Sequence, residues 1–178
     1  MAMGMAIGSV LLALLVAGDA AEPNLLKDTS FELLGDADSP WSVESQDGAK
    51  LSASKFKQPD GSAAAKLTVD SVGTELWHAQ FFQQGVVLEA NKAYEVSVKM
   101  KAAESFDAAS PPSVDLTVLR ASPPWTTVAV RSCALSPGGQ TFVLKFTPTE
   151  DVANARVTIS TGKNDVDFLV WSPVLVAD

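Results

Sequence analysis

Single apolar and polar residues alternate through much of this chain, and the alternation is clearest between residues 94 and 102. Tyr94, Val96, Val98 and Met100 fall on one side of an extended backbone, while charged or hydroxyl residues fall on the other. A period of two residues is typical of a β-strand that has one face in a core and the other in water. We therefore predict a strand here with its apolar face turned inward.

The segment just before it, which begins at Trp77, predicts a second strand that is joined to the first by a short polar turn. Ala79 and Phe81 are in phase with a core, while His78 and Gln80 point outward beside amide and aromatic neighbours. Trp77 has the phase of the core residues, but it stands at the start of the strand, where phase is weak. Both a buried and an exposed Trp77 stay open.

Short apolar runs bounded by glycine, proline, aspartate and serine recur along the rest of the chain, and no segment sustains a helical period. This pattern is typical of a β-sandwich or barrel. We predict an all-β fold in which two antiparallel sheets pack face to face as a jelly roll. The predicted strands cover residues 41–44, 50–55, 63–69, 77–83, 94–102, 114–119, 129–134, 141–147, 155–160 and 167–176.

The N-terminus predicts an exported protein. Residues 1–20 contain no lysine or arginine, and their apolar run from Ala6 to Val16 is too short to span a bilayer comfortably. We predict a signal peptide that is cleaved after Ala20, so that residues 21–178 form a single secreted, periplasmic or extracellular domain. Because the usual basic residue is missing, an uncleaved N-terminal anchor is the alternative.

Charge and cysteine content narrow the range of partners. The formal net charge of −8 disfavours binding to nucleic acid and to anionic membranes, so we expect neither as a partner once the signal is removed. We also expect the protein to be a monomer. Cys133 is the single cysteine, which excludes a disulfide within the chain. Its apolar neighbours indicate a small buried residue rather than a nucleophile.

Three ordered motifs resemble family 4/9 carbohydrate-binding modules. Residues 77–102 contain W-H-x-Q, then G-x-x-L-E-A-x-K-x-Y, then K-A. Residues 24–32, NLLKDTSFE, with Pro40-Trp41, resemble the opening of these modules, and residues 142–161 resemble their closing segment. The resemblance covers nearly all of the chain after residue 23. It implies a galactose-binding-like β-sandwich that binds polysaccharide.

The resemblance also implies where sugar is bound. In these modules the sugar-contacting region includes a Trp-His pair at the head of one strand and a Pro-Trp pair in a later loop. Here the corresponding pairs are Trp77-His78 and Pro124-Trp125. Sugar rings stack on aromatic faces and their hydroxyls need donors and acceptors, which adds Gln80 as a candidate. Arg120, near the Trp125 loop, stands where related modules often have glutamine. His78 could equally be a plain surface histidine.

Further residues are expected on the outward face, and two tryptophans are expected in the core. We expect Trp41 and Trp171 to be buried away from ligand, because they lie at a strand start and in a nearly all-apolar run. The residues expected on the same outward face as Gln80 are Glu95, Ser97, Lys99, Asp115, Thr117, Arg156 and Thr158.

Family members often hold a structural calcium, and the resemblance implies part of such a site here. Glu32, Asp60 and Ser62 match the family's ligand positions, but the final strand has Trp171-Ser172 where the family pattern has acidic residues. Calcium needs six to eight oxygen ligands, so Asp165 or Asp167 would have to compensate. We expect no other cofactor.

No motif in the chain points to catalysis. His78 is the only histidine in the sequence, and the sequence contains no G-x-S-x-G elbow and no phosphate-binding loop. A glycosidase needs only two carboxylates, so the 21 acidic residues do not formally exclude a catalytic pair. We predict a secreted, non-catalytic binder of plant-type or cell-wall polysaccharide or oligosaccharide, which could act beside separate glycoside hydrolases. The alternative is a structural or protein-interaction domain of the cell envelope that has lost its sugar site.

Overall fold

The structure is a computed structural model that describes residues 22–107 and 109–178. The predicted signal peptide lies outside the described residues and stays a prediction. Ten strands and one 3-10 turn, Leu76–His78, make up the regular structure of these described residues. The strands are β1 (Trp41–Ser45), β2 (Lys50–Lys57), β3 (Ala63–Ser71), β4 (Ala79–Leu88), β5 (Tyr94–Ala102), β6 (Ser113–Arg120), β7 (Thr127–Ala134), β8 (Gln140–Phe146), β9 (Val152–Ser160) and β10 (Phe168–Ala177).

The strands form two antiparallel five-stranded sheets. Sheet A has the order β1-β4-β9-β6-β7, and sheet B has the order β2-β3-β10-β5-β8. This confirms the predicted all-β sandwich of two sheets, and each of the ten predicted strands is present within a few residues of its predicted bounds. No helix among the described residues is long and apolar enough to cross a membrane.

One prediction about neighbouring strands is wrong. β4 and β5 follow each other along the chain but lie in different sheets, because the chain crosses from sheet A to sheet B between them. Their outward faces therefore lie on opposite sides of the molecule. The residues predicted to share one face divide into Glu95, Ser97 and Lys99 on sheet B, and Asp115, Thr117, Arg156 and Thr158 on sheet A.

The core fills the space between the sheets, and an aromatic cluster closes one part of it. The rings of Trp41 and Phe81 stack with centroids 4.9 Å apart, and Phe31 packs on Trp41 at 5.3 Å. All three side chains are buried. The Nε1–H of Trp41 donates to the carbonyl of Asp28 at 3.1 Å, so the indole keeps a polar partner inside the core. The core position predicted for Trp41 is confirmed.

Trp171 is not in the core, which corrects the second tryptophan prediction. Its ring is partly buried on the outer face of sheet B, while Val170 and Leu175 of the same strand point inward. The register between β10 and β5 shifts between Trp171 and Val174. Trp171 precedes this shift and alternates regularly with the inward Val170, so it faces outward; a run that is apolar on both faces does not show which side each residue takes.

Cys133 is fully buried on β7, and this burial raises the pKa of its thiol to about 11. The thiol is therefore protonated at neutral pH, and the thiolate is the reactive form. We expect no reaction with a thiol reagent such as DTNB at pH 8 until denaturant unfolds the chain. Rapid labelling of the folded protein would show that β7 opens locally.

Candidate functional site

A groove of about 600 Å³ crosses the outer face of sheet A. Cross-strand register sets its floor, since Glu44, Gln80, Ser160 and Asp115 lie side by side on β1, β4, β9 and β6. All four of these residues line the groove. The floor is therefore made of carboxylate, amide and hydroxyl groups.

Trp77 borders the groove where the chain enters β4. It lies in the 3-10 turn, and its side chain is 50% exposed. The side-chain amide of Gln80 donates to the carbonyl of Trp77 at 2.7 Å, and the ring of His78 meets the indole edge-on at 4.3 Å between centroids. These contacts hold the backbone of the turn in place while the indole face stays open to solvent.

The turn that carries Trp77 packs against the loop after β9. The N–H of Gly162 donates to the carbonyl of Leu76 at 2.7 Å, and the N–H of Thr161 donates to the carbonyl of Ala79 at 2.8 Å. A Cβ added at Gly162 would lie 2.2 Å from the carbonyl oxygen of Glu75. Only a glycine allows this approach, so the position of Trp77 depends on Gly162.

Trp125 reaches the groove from the loop between β6 and β7. Its backbone N–H donates to the carbonyl of Ser122 at 2.9 Å, and its φ angle is 56°. This left-handed conformation is uncommon for a tryptophan. The side chain is 49% exposed and lines the groove. Because Trp77 precedes β4 and Trp125 follows the parallel-running β6, the two indoles approach the groove from opposite ends of the sheet.

Arg156 lies between the Trp125 loop and the Glu44–Gln80 side of the floor, and it is only 6% exposed. Its Nη1 donates to Oε2 of Glu44 at 3.2 Å, and its Nη2 donates to Oε1 of Gln80. The guanidinium lies 4.4 Å from the ring centroid of Phe82 and 5.6 Å from that of Trp125. Cationic groups are attracted to aromatic faces at such distances. Arg156 and Gln80 together therefore link the support of Trp77 to that of Trp125.

Two polar groups of the groove have no protein partner. Asp115 makes no ion pair with any described residue, although it lines the groove. The Nε of Arg156 is buried and lacks a hydrogen-bond partner within the described part of the chain. A buried donor without a partner costs free energy, whereas the half-buried carboxylate of Asp115 is open to a polar ligand.

Of the five residues predicted to contact sugar, the groove brings together three: Trp77, Gln80 and Trp125. The outward orientation predicted for His78 is wrong. Its ring is buried beneath the turn, where Nε2 lies 3.3 Å from Oδ2 of Asp47. A direct sugar contact by His78 stays a prediction, and the structure places the residue as a support for Trp77.

Arg120 ends its strand near the Trp125 loop, as predicted, but its side chain does not line the groove. Its Nη2 lies 2.6 Å from Oε1 of Glu150, on the surface beside the loop. β6 pairs with β9 without interruption from Asp115 to Arg120, so regular alternation turns Leu119 toward the groove and gives Arg120 the opposite phase. The sequence placed Arg156 on the outward face, but gave no sign that it lies across the floor.

The predicted calcium ligands lie in two separate loops. The carboxylate of Asp60 accepts hydrogen bonds from Oγ and N of Ser62 at 2.7 and 2.9 Å, and these bonds lower the pKa of Asp60. Glu32 is exposed in the segment before β1. Nowhere in residues 22–107 and 109–178 do three Asp, Glu, His or Cys side chains converge as metal ligands. Calcium binding stays a prediction.

Comparison with solved structures gives the same architecture. A CBM4 structure superimposes with a TM-score of 0.69 at 23% identity and covers 84% of this chain and 97% of that one. The N-terminal cellulose-binding domain of β-1,4-glucanase C from Cellulomonas fimi gives 0.55 at 15% identity, with 78% and 88% coverage. TmCBM61 in complex with β-1,4-galactotriose gives 0.58 at 16% identity, with 88% and 99% coverage.

At the level of sequence, no curated protein matches the chain. The family profile CBM_4_9, described as a carbohydrate binding domain, does match, and its match extends over residues 23–166. That span includes the strands and both loops that form the groove. The chain therefore belongs to the CBM_4_9 family of carbohydrate binding domains.

Proposed function

We propose that the groove of sheet A binds a polysaccharide or oligosaccharide chain, with sugar rings stacked on Trp77 and Trp125, and that the protein is a secreted, non-catalytic binder. The observation that carries this proposal is the pair of half-exposed indoles at the two ends of one polar floor. Sugar rings offer C–H groups to aromatic faces and hydroxyls to polar groups. The groove supplies both kinds of partner along a single path.

The charges of the groove favour a neutral glycan over an anionic one. The guanidinium of Arg156 is already paired with Glu44, so Asp115 remains as the uncompensated charge of the floor. A ligand carboxylate would be repelled by Asp115, whereas a hydroxyl group can donate to it. The net charge of −8 adds repulsion at long range.

The spacing of the floor carboxylates supports a non-catalytic role. Glu44 on β1 and Asp115 on β6 are separated by β4 and β9, so their backbones are about 14 Å apart at the usual strand spacing. Glycosidases need two carboxyl groups at roughly 5 to 10 Å. Gln80 and Ser160 stand between the two acids and carry no carboxylate.

A binding panel tests the proposal. We expect a neutral glucan or xylan to bind and to change tryptophan fluorescence. Trp125→Ala and Trp77→Ala should each weaken that binding by about 1–2 kcal/mol, because each removes a stacking surface. Phe56→Ala, which removes an exposed aromatic ring from sheet B, is the control and should bind like the parent.

Two results would contradict sugar binding in the groove. If no polysaccharide in the panel binds, or if both tryptophan variants bind as the parent does, the groove is not a sugar site. The envelope-interaction role would then be the better account of the domain.

A further inference from the structure

The lysines of this acidic protein are concentrated on one sheet. The five strands of sheet B contain seven lysines and two acidic residues, Asp70 and Glu95. The whole chain has 13 basic and 21 acidic residues. The strands of sheet B are therefore positively charged within a molecule whose net charge is strongly negative.

Protection of sheet edges explains only part of this concentration. β2 and β8 are the edge strands of sheet B, and lysines on an edge prevent pairing with other chains. That reason does not apply to Lys66 on β3 or to Lys99 and Lys101 on β5, which lie on inner strands. Lys66 is paired with Asp167 at 3.1 Å. Lys99 and Lys101 make no ion pair with any described residue.

The two unpaired lysines lie beside Trp171, on the strand next to it near the centre of the sheet. Trp171 lies on β10, the middle strand, and its register partner on β5 is Lys99. Nζ of Lys101 lies 5.8 Å from the centroid of the Trp171 ring. Gly139 packs beside the ring, and a Cβ there would lie 2.9 Å from Cη2 of Trp171. The indole is thus contacted by Lys101 and by a residue without a side chain.

A second aromatic ring continues this surface across the sheet. Phe56 on β2 is exposed and pairs in register with Ala64 on β3. Ala65, the next residue, pairs with Val170, so Ala64 lies between Phe56 and Trp171. Phe56 and Trp171 are then two strand spacings apart, about 10 Å, with only a methyl group between them.

We propose that this patch, consisting of Phe56, Trp171, Lys99 and Lys101, is a second ligand surface that binds a carboxylate-bearing polysaccharide such as a polymer of uronic acid. Sugar rings stack on Trp171 and Phe56, and carboxylates contact the two ammonium groups. The patch is separate from the groove of sheet A, whose unpaired carboxylate favours neutral glycans over acidic ones. The outer face of sheet A thus binds neutral glycans, and the outer face of sheet B binds acidic ones.

Binding of polygalacturonate, compared with its fully methyl-esterified form, tests the proposal on the full chain. The two polymers share a backbone and differ in charge. At about 20 mM NaCl we expect polygalacturonate to bind and the ester to bind about tenfold more weakly, with the difference shrinking at 150 mM salt. The double variant Lys99→Glu/Lys101→Glu should weaken polygalacturonate binding about tenfold. Trp171→Ala should also weaken polygalacturonate binding, because it removes a stacking surface.

Two matched variants give the controls. Lys50→Glu/Lys92→Glu makes the same change in net charge at the far end of β2 and in the turn before β5, and it should leave binding within about twofold. Trp125→Ala, in the groove, should leave it unchanged. Equal weakening by both charge-reversal pairs, loss of binding in Trp125→Ala, or no binding at low salt would each overturn the proposal. Neutral glycans test the groove separately.

Discussion

Replacing Gly162 with alanine is expected to lower the free energy of unfolding by about 3 kcal/mol and to weaken sugar binding in the groove. The new Cβ would lie 2.2 Å from the carbonyl oxygen of Glu75, 2.9 Å from that of Leu76 and 3.0 Å from the amide nitrogen of Ala79. All three are backbone atoms, so no rotamer change can relieve the overlap. The turn that carries Trp77 must move.

Urea unfolding and glycan titration of the same preparation measure both effects. Gly138→Ala is the matched control, because a Cβ there meets no atom within 4 Å. That variant should unfold and bind like the parent. If Gly162→Ala kept the parent's stability, the close packing between the Trp77 turn and the loop after β9 would be wrong.

Arg156→Met is expected to weaken sugar binding about tenfold or more, which is about 1.4 kcal/mol or more, and to lower the free energy of unfolding by a similar amount. The change removes the cation beside Trp125 and the donor to Gln80, so both indoles lose part of their support. Breaking a fully buried ion pair costs about 3–5 kcal/mol, but the Glu44 side chain is 48% exposed and can be solvated. We therefore expect a loss of about 1–2 kcal/mol in unfolding free energy.

Arg120→Met provides the comparison within the same sheet. Arg120 pairs with Glu150, whose side chain is well exposed, so the loss should be below about 1 kcal/mol and binding should be unchanged. Calorimetric titration and thermal unfolding of the two variants give the readout. If Arg120→Met reduced sugar binding more than Arg156→Met, then Arg120 rather than Arg156 would be the arginine of the site.

The strands could be predicted from the sequence because their period of two follows directly from burial of one face. The assignment of strands to sheets could not. Alternation in β4 and β5 shows which residues point inward, but both sheets share one core, so the same pattern fits either sheet. The placement of Glu95 and Lys99 on the face of Gln80 failed for this reason.

The failures in and near the site have separate physical causes. His78 is in a 3-10 turn, where side chains no longer alternate, and it is buried. Trp171 lies in a run that is apolar on both faces, which does not show the side of each residue, and Arg120 has the opposite phase to Asp115 and Thr117 on β6. Trp125 could be anticipated as exposed, because it follows two prolines in a loop. The position of Arg156 across the floor depends on contacts between β1, β4 and β9.

The indole signals of the four tryptophans, followed by NMR during titration with a neutral oligosaccharide, test the central claim most directly. The Nε1–H signals of Trp77 and Trp125 are expected to shift, while those of Trp41, in the core, and Trp171, on sheet B, stay in place. Shifts at Trp171 with none at Trp77 and Trp125 would contradict it, because the neutral glycan would then lie on the opposite face of the sandwich.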